Sequence, residues 1–267
     1  GIMNIVNDKY KSYSMRAKLD IKVTDWLKYS INTSFFESTY ERTGSSDLND
    51  FFYRSANHSL SSFPSTNPDG TSLWDISGII TVGTAKVGDG YNALLNYGKH
   101  KNKDQNREYL VKNQITITPI KDLTIVGDYA YLFRNLNREM RRVPVPYSNT
   151  RGTTGWIEGS DDSMCWDMFT RGMTNNTTQS INAYATYDPT FGQHHFTVTA
   201  GFNGEIYRHL YFKGERQDLM SPDLNTLNIA TGEVKDFKDE IQNSVTYGYF
   251  ARVNYDFAGR YLLELSG

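Results

Sequence analysis

The most constraining feature of this chain is a two-residue alternation of side chains. From Tyr13 to Val23 the odd positions are apolar or aromatic and the even positions are polar or charged. The pattern resumes from Leu27 to Phe35, after a short connection around Asp25. Because a β-strand points successive side chains to opposite faces, the pattern predicts a hairpin of two antiparallel strands with one apolar face and one polar face.

Three further strand pairs repeat this design. They are predicted at residues 109–117 and 123–133, at 181–187 and 196–204, and at 245–255 and 261–265. Each pair is joined by a short turn, and Pro119 lies in one of these turns because proline cannot donate to a strand ladder. The chain is therefore predicted to hold about eight antiparallel strands.

The connections between the pairs differ from the turns within them. They are long and polar, at about residues 37–107, 135–178 and 207–243. Outer-membrane β-barrels have short periplasmic turns and long extracellular loops, and about ten tilted residues cross their apolar band of roughly 25 Å. The alternation of short and long connections thus predicts an all-β fold of antiparallel transmembrane barrel strands, with the charges of Arg16 and Lys18 facing a wet lumen.

Composition excludes other classes of protein. No run of about 18 uncharged apolar residues is present, so the chain is not predicted to cross a membrane as a helix. The net charge of −2 and the pI of about 6.2 provide no basic field for a phosphate backbone, which argues against nucleic acid as a partner. Tyrosine and phenylalanine are abundant, at 19 and 14 residues, and suit membrane interfaces.

One stretch of sequence carries a family resemblance. The segment 248–263, GYFARVNYDFAGRYLL, closely resembles the barrel motif of the SusC/RagA-like TonB-dependent outer-membrane transporters of Bacteroidetes. Residues 67–70 (NPDG), Trp74, residues 91–95 (YNALL) and residues 121–123 (KDL) also resemble that family.

The resemblance implies an architecture larger than this chain. Such a transporter is a plugged barrel of about 22 strands in the outer membrane of a Gram-negative bacterium. Residues 1–267 are then expected to be a partial barrel domain of about eight strands, with the plug domain, the signal peptide and the remaining strands lying outside it. The implied partners are a SusD-like surface lipoprotein that acts as a lid, TonB acting through the missing N-terminal part, and outer-membrane lipid.

The resemblance also implies a function. It is active import of large nutrients, energised through TonB, with oligosaccharides as the foremost cargo and peptides as another. Two alternatives stay open at this point. A soluble all-β carbohydrate-binding module would also have aromatic polar loops, and a passive outer-membrane porin would share the barrel without the plug or the energy coupling.

The outer loops contain the candidate binding residues. Aromatic rings stack on sugar faces and carboxylates accept hydrogen bonds from hydroxyl groups. On this basis the candidate contacts for substrate or lid are Trp74, Trp156, Trp166, Asp161 and Asp162. Packing within the loops is the alternative role for each of them.

The sequence gives no support for catalysis. Cys165 is the only cysteine, and the five histidines lack the spacing of metal ligands relative to it or to carboxylates. We therefore predict no catalytic residue, no cofactor and no metal, and we predict that the protein is not an enzyme.

Overall fold

The computed structural model describes residues 9–42, 100–147, 155–157 and 167–267, together with Pro68 and two short strands between residues 81 and 86. Its strands are β1 (Lys9–Lys22), β2 (Leu27–Arg42), β3 (Thr81–Val82), β4 (Ala85–Lys86), β5 (Lys101–Ile120), β6 (Leu123–Arg142), β7 (Val145–Tyr147), β8 (Gly155–Ile157), β9 (Met168–Tyr187), β10 (Thr190–Phe191), β11 (His194–Gln217), β12 (Val234–Phe257) and β13 (Tyr261–Ser266). Among the described residues no helix has the length and apolar character needed to cross a membrane.

One open antiparallel sheet contains all the long strands. Its order is β1-β2-β5-β6-β9-β11-β12-β13, and the short strand β10 pairs beside β11. Each strand pairs with the next long strand along the chain, and the two-stranded pairs β3-β4 and β7-β8 lie outside this sheet. The predicted all-β fold with four hairpins is confirmed.

The strands extend further outward than the alternation of apolar residues predicts. For example, β5 begins at Lys101 and β2 ends at Arg42, so the connection between them is 43–100 rather than 37–107. The extra residues on the apolar side of β5, such as Lys103 and Arg107, are polar, so apolar periodicity does not indicate this part of the strand. Backbone pairing continues through them regardless of side-chain polarity.

The register of the sheet keeps the two kinds of side chain on separate faces. Leu19 pairs with Ile31, and Ile117 pairs with both Leu27 and Ile125, so apolar side chains lie beside one another across the strands. The exposed members of this apolar face include Met15, Leu19, Ile21, Ile115, Ile125, Ile181, Val198, Ile206, Val245, Tyr247 and Tyr249. We call this the apolar face and the opposite one the polar face.

Aromatic side chains border the apolar face. Towards the long loops, the ring centroid of Tyr109 lies 5.0 Å from that of Phe35 and 6.2 Å from that of Phe133. Towards the short turns, the rings of Phe196 and Tyr255 lie 4.8 Å apart. Aromatic rings gather at both edges of the apolar band of a membrane barrel, where one edge of the ring is apolar and the other is wet.

The strands are staggered along the sheet. One register row contains Tyr29, Ile115, Gly127, Ala183, Phe202 and Tyr249. Tyr29 lies two residues from the turn end of β2 at Leu27, whereas Tyr249 lies eight residues from the turn end of β12 at Phe257. The distance from this register row to the short turns therefore increases from the first hairpin to the last. Such a stagger is the shear that tilted barrel strands require.

A small core lies at the outer end of the sheet. The buried side chains of Phe169, Leu219 and Ala230 pack together, with Leu227 and Ile229 against them. Leu227 begins a 3₁₀ turn, Leu227–Ile229, within the connection between β11 and β12. This connection is thereby folded down onto the outer ends of β9 and β11.

Candidate functional site

The polar face carries paired charges where it approaches the outer loops. The carboxylate of Asp104 accepts from Arg138 Nε at 2.8 Å through Oδ1 and from Arg42 Nη2 at 3.2 Å through Oδ2. Four residues further along β5, Glu108 Oε2 accepts from Arg134 Nε at 2.7 Å. These ion pairs join three arginines and two carboxylates across β2, β5 and β6.

A second group of charges lies nearer the short turns. Asp128 accepts from Asn182 Nδ2 at 2.9 Å, and Lys112 Nζ lies 3.3 Å from the same carboxylate oxygen, Oδ1. The side chain of Asp128 is only 8% exposed, although it lies on an open face. Its three-residue network spans β5, β6 and β9 and keeps the carboxylate satisfied.

Hydroxyl and amide groups dominate the polar side of β9. Asn176 Oδ1 lies 2.7 Å from His209 Nδ1, and Ser180 Oγ donates to Glu205 Oε2 at 3.3 Å. The polar side of this strand consists of Thr170, Gly172, Thr174, Asn176, Thr178, Ser180, Asn182, Tyr184 and Thr186. Such a wall presents donors and acceptors in many directions without a concentrated charge.

The outer end of the polar face adds one more charged cluster. Lys213 Nζ lies 2.7 Å from Asp236 Oδ2 and 3.4 Å from Glu215 Oε2. Thr170 Oγ1 donates to that same Glu215 oxygen at 2.9 Å. The polar face is suited to sliding contact with a hydrated polar solute, because many of its charges are paired and its amides and hydroxyls are numerous.

Two of the amides on the apolar face accept hydrogen bonds from tyrosines. Tyr29 donates to Asn113 Oδ1 at 2.6 Å, and Tyr129 donates to Gln179 Oε1 at 3.0 Å. An amide exposed to hydrocarbon without a partner would be strongly unfavourable. The two hydrogen bonds therefore reduce the penalty of these two amides on a face that is apolar over most of its middle part.

The roots of the outer loops are fixed by buried polar contacts. Arg141, which is 2% exposed, binds the carboxylate of Asp167 and donates to the backbone carbonyls of Met168 at 3.2 Å and Ser221 at 3.4 Å. This one guanidinium ties β6, β9 and the β11–β12 connection together.

His100 anchors another loop root, immediately before β5. Its Nε2 lies 2.6 Å from the carbonyl oxygen of Val143, and the ring is 2% exposed. Burial lowers the pKa of His100 to about 4, and the nearby positive charges of Arg142 and Arg141 act in the same direction. The ring is therefore neutral at physiological pH, and its role is to hydrogen-bond the backbone of Val143.

A cavity of about 460 Å³ opens beside these loop roots. Its lining includes Glu41, Lys101, Lys103, Glu139 and Phe169, which lie at the outer ends of four neighbouring strands. Charges of both signs surround it, so the cavity suits a polar or zwitterionic group.

The loop residues predicted as binding contacts are not brought together in the described structure. Trp74, Trp166, Asp161 and Asp162 lie outside the described residues. The backbone of Trp156 lies in β8, where it pairs with Pro146 of β7. These five residues stay predictions. The sequence predicts lumen-facing charges only at Arg16 and Lys18 of β1, and it does not predict the charge networks of the other strands.

No protein-family model matches this chain, and no curated protein matches it. A chain in a structure of the RagAB peptide transporter matches with a TM-score of 0.70 and 17% identity, over 96% of this chain and 27% of that chain. Structures of the RagAB peptide importer in the "open-open" and "closed-closed" states match with TM-scores of 0.70 and 0.69 and the same coverage.

These matches establish the fold. The chain has the fold of a portion of a transporter barrel, and it spans about a quarter of the length of the transporter chains that it matches. The predicted resemblance to SusC/RagA-like transporters is confirmed at the level of the fold. The matched structures are described as those of a peptide transporter and a peptide importer.

Proposed function

We propose that these strands are part of the wall of an outer-membrane β-barrel that actively imports large polar nutrients. The observation that carries this proposal is the two-faced sheet, whose apolar face has aromatic borders and whose polar face carries paired charges. A lipid-facing exterior and a wet lumen need these two faces. The shared fold with the RagAB peptide transporter supports the same reading.

The apolar face weighs against the soluble carbohydrate-binding module. Met15, Val245 and Tyr249 are 68%, 66% and 80% exposed, and they belong to a continuous apolar surface. A soluble module would cover such a surface with a second layer, because exposed apolar patches of this extent drive association. A membrane supplies that cover without any further protein layer.

The proposal extends to the whole transporter. In it, residues 1–267 are about eight strands of a plugged barrel of about 22 strands in a Gram-negative outer membrane, with energy delivered through TonB to a plug outside this chain. A SusD-like lipoprotein closes over the long loops. The RagAB importer has been seen in "open-open" and "closed-closed" states, which supports opening and closing of the transporter in this proposal.

The cargo is an oligosaccharide or a peptide. The hydroxyl- and amide-rich side of β9 suits sugar hydroxyls and peptide groups alike, and the paired charges avoid trapping either. The matched transporter carries peptides, which makes peptides the second cargo class to test beside oligosaccharides. Trp74, Trp156, Trp166, Asp161 and Asp162 are proposed contacts for cargo or lid.

An uptake assay on cells tests this function. The gene for the full-length protein is deleted and restored, and the uptake of fluorescent oligosaccharides and fluorescent peptides is measured with and without a protonophore. We expect uptake of one class to require both the gene and the proton gradient. Gene-dependent uptake that is unchanged by the protonophore would instead indicate a passive porin. Recovery of the protein in the soluble fraction would overturn the membrane assignment.

A further inference from the structure

The outer half of the apolar face contains a groove that is lined mostly by apolar side chains. It has a volume of about 480 Å³, and Gly204 of β11 is among its lining residues. The groove is lined by Ile181, Phe202, Ile206, Val245 and Tyr247, together with the Tyr129–Gln179 pair. Ile206, Val245 and Tyr247 are 49%, 66% and 70% exposed, so their apolar surfaces are available to a ligand.

Glycine at position 204 forms the floor of this groove. A Cβ there would lie 3.2 Å from Cζ of Phe202 and 3.3 Å from Cγ2 of Ile181, which is tighter than ordinary van der Waals contact. The Phe202 ring and the Ile181 methyl group therefore pack directly over the glycine backbone. A larger residue at this position would push these two groups into the groove.

A row of polar side chains lies directly outward of the groove. Thr177, Arg208 and Asn243 pair across β9, β11 and β12 in one register row, two residues beyond Ile206 on the same face. In the part of the chain that the structure describes, none of these three side chains has a hydrogen-bond or ion-pair partner. Another arginine on this face, Arg171, is paired with Glu139 at 2.8 Å.

The two features have the shape and chemistry of an amphiphile. Cross-strand neighbours lie about 5 Å apart, so a guanidinium, a hydroxyl and an amide converge within reach of a single phosphate group. Arginine is the side chain best suited to phosphate, since its planar fork can donate two parallel hydrogen bonds. Below it, the groove offers apolar surface to an acyl chain.

We propose that this surface binds a phosphate-bearing lipid of the outer leaflet of the membrane. Arg208, Thr177 and Asn243 hold the phosphate, and the groove around Gly204 holds one acyl chain. The site is distinct from the lumen and its cargo, but it rests on the membrane placement proposed above. The unpaired positive charge beside an apolar groove selects the anionic lipid over a second copy of this chain, whose same row would bring another unpaired Arg208.

Native mass spectrometry of the full-length protein in detergent tests the proposal. The probes are dimyristoylphosphatidic acid and dimyristoylglycerol, which share their acyl chains and differ in the phosphate. We expect Arg208→Gln to weaken binding of the phosphatidic acid about tenfold and to leave the diacylglycerol unchanged. Gly204→Leu, which fills the groove, is expected to weaken both.

Arg171→Gln is the matched control, because it removes an arginine from the same face but one that is already paired. Equal losses for Arg208→Gln and Arg171→Gln would show that the lipid responds to net charge alone, and unchanged binding in Arg208→Gln would equally overturn the site. A dimer in the same spectra that Gly204→Leu converts to monomer would assign the groove to a second copy. A heat-dependent shift in gel mobility verifies that each variant is a folded barrel, so failure of the membrane placement is seen separately.

Discussion

A lysine placed on alternate residues of one strand should distinguish the two faces of the sheet by energy. Ile115 lies on the apolar face of β5, six residues from the aromatic border at Tyr109 and five from the turn at Ile120, and it is 46% exposed. It is therefore close to the middle of the apolar band. Gln114, the adjacent residue, lies on the polar face beside Asp128 of β6.

The two substitutions have different expected magnitudes. A lysine on the lipid face near the midplane destabilises a membrane barrel by about 2–4 kcal/mol, which raises the unfolding equilibrium constant roughly 30- to 900-fold. Gln114→Lys loses a single long hydrogen bond, from Nε2 to Thr116 Oγ1 at 3.4 Å, and gains the carboxylate of Asp128 as a neighbour. Its expected effect is within about 1 kcal/mol of zero.

The assay is equilibrium unfolding by urea of the full-length protein in lipid vesicles, followed by tryptophan fluorescence and by the heat-modifiable gel band. Ile115→Lys should lower the midpoint strongly, and Gln114→Lys should leave it nearly unchanged. Equal effects of the two lysines, or a larger effect from Gln114→Lys, would refute the assignment of the faces.

Three further predictions concern packing, hydrogen bonding and pH. Gly201→Ala should destabilise the barrel by about 1–3 kcal/mol, because an added Cβ would lie 2.6 Å from side-chain atoms of two aromatic residues. Gly127→Ala is the control and should be tolerated, because nothing lies within 4 Å of an added Cβ there. Urea unfolding compares the stabilities of the two variants. Tyr29→Phe should destabilise by about 1 kcal/mol by leaving Asn113 without its donor, and adding Asn113→Leu should restore the loss in the same assay. Because the pKa of His100 is about 4 in the folded protein, the unfolded state binds more protons between roughly pH 4 and 6.5. The stability of this loop root should therefore fall as pH decreases through that window. The total loss across the window is about 3 kcal/mol. Hydrogen exchange at the loop root measures this effect, and a pH-independent exchange free energy would contradict it.

The part of the sheet proposed to cross the membrane could be predicted from sequence because contact with lipid on one face requires a regular pattern. Hydrocarbon on one side and water on the other leave every second residue apolar, and this is visible at Leu19, Ile31 and Ile115. Outside the bilayer that constraint ends. The outer ends of the strands, such as the start of β5 at Lys101, are therefore visible only in the structure.

The charge networks of the polar face depend on register, which sequence periodicity does not give. Asp128 meets Lys112 and Asn182 only because β6 lies between β5 and β9 in a fixed alignment. The pattern indicated that these side chains share a face but not which of them make contact. The polar row at Arg208 was hidden for the same reason, since its three members are far apart in the chain.

Spin-label accessibility along β5 tests the central claim most directly. Single cysteines are placed at each position from Tyr109 to Ile117 of the full-length protein, in a background without Cys165 or other cysteines, and the labelled proteins are reconstituted in lipid bilayers. Collision rates with oxygen, which concentrates in lipid, should peak at odd positions, and those with a water-soluble nickel complex should peak at even positions. Equal access of the nickel complex to both sets of positions would show that the apolar face does not contact lipid, and the account of this sheet as a membrane wall would be wrong.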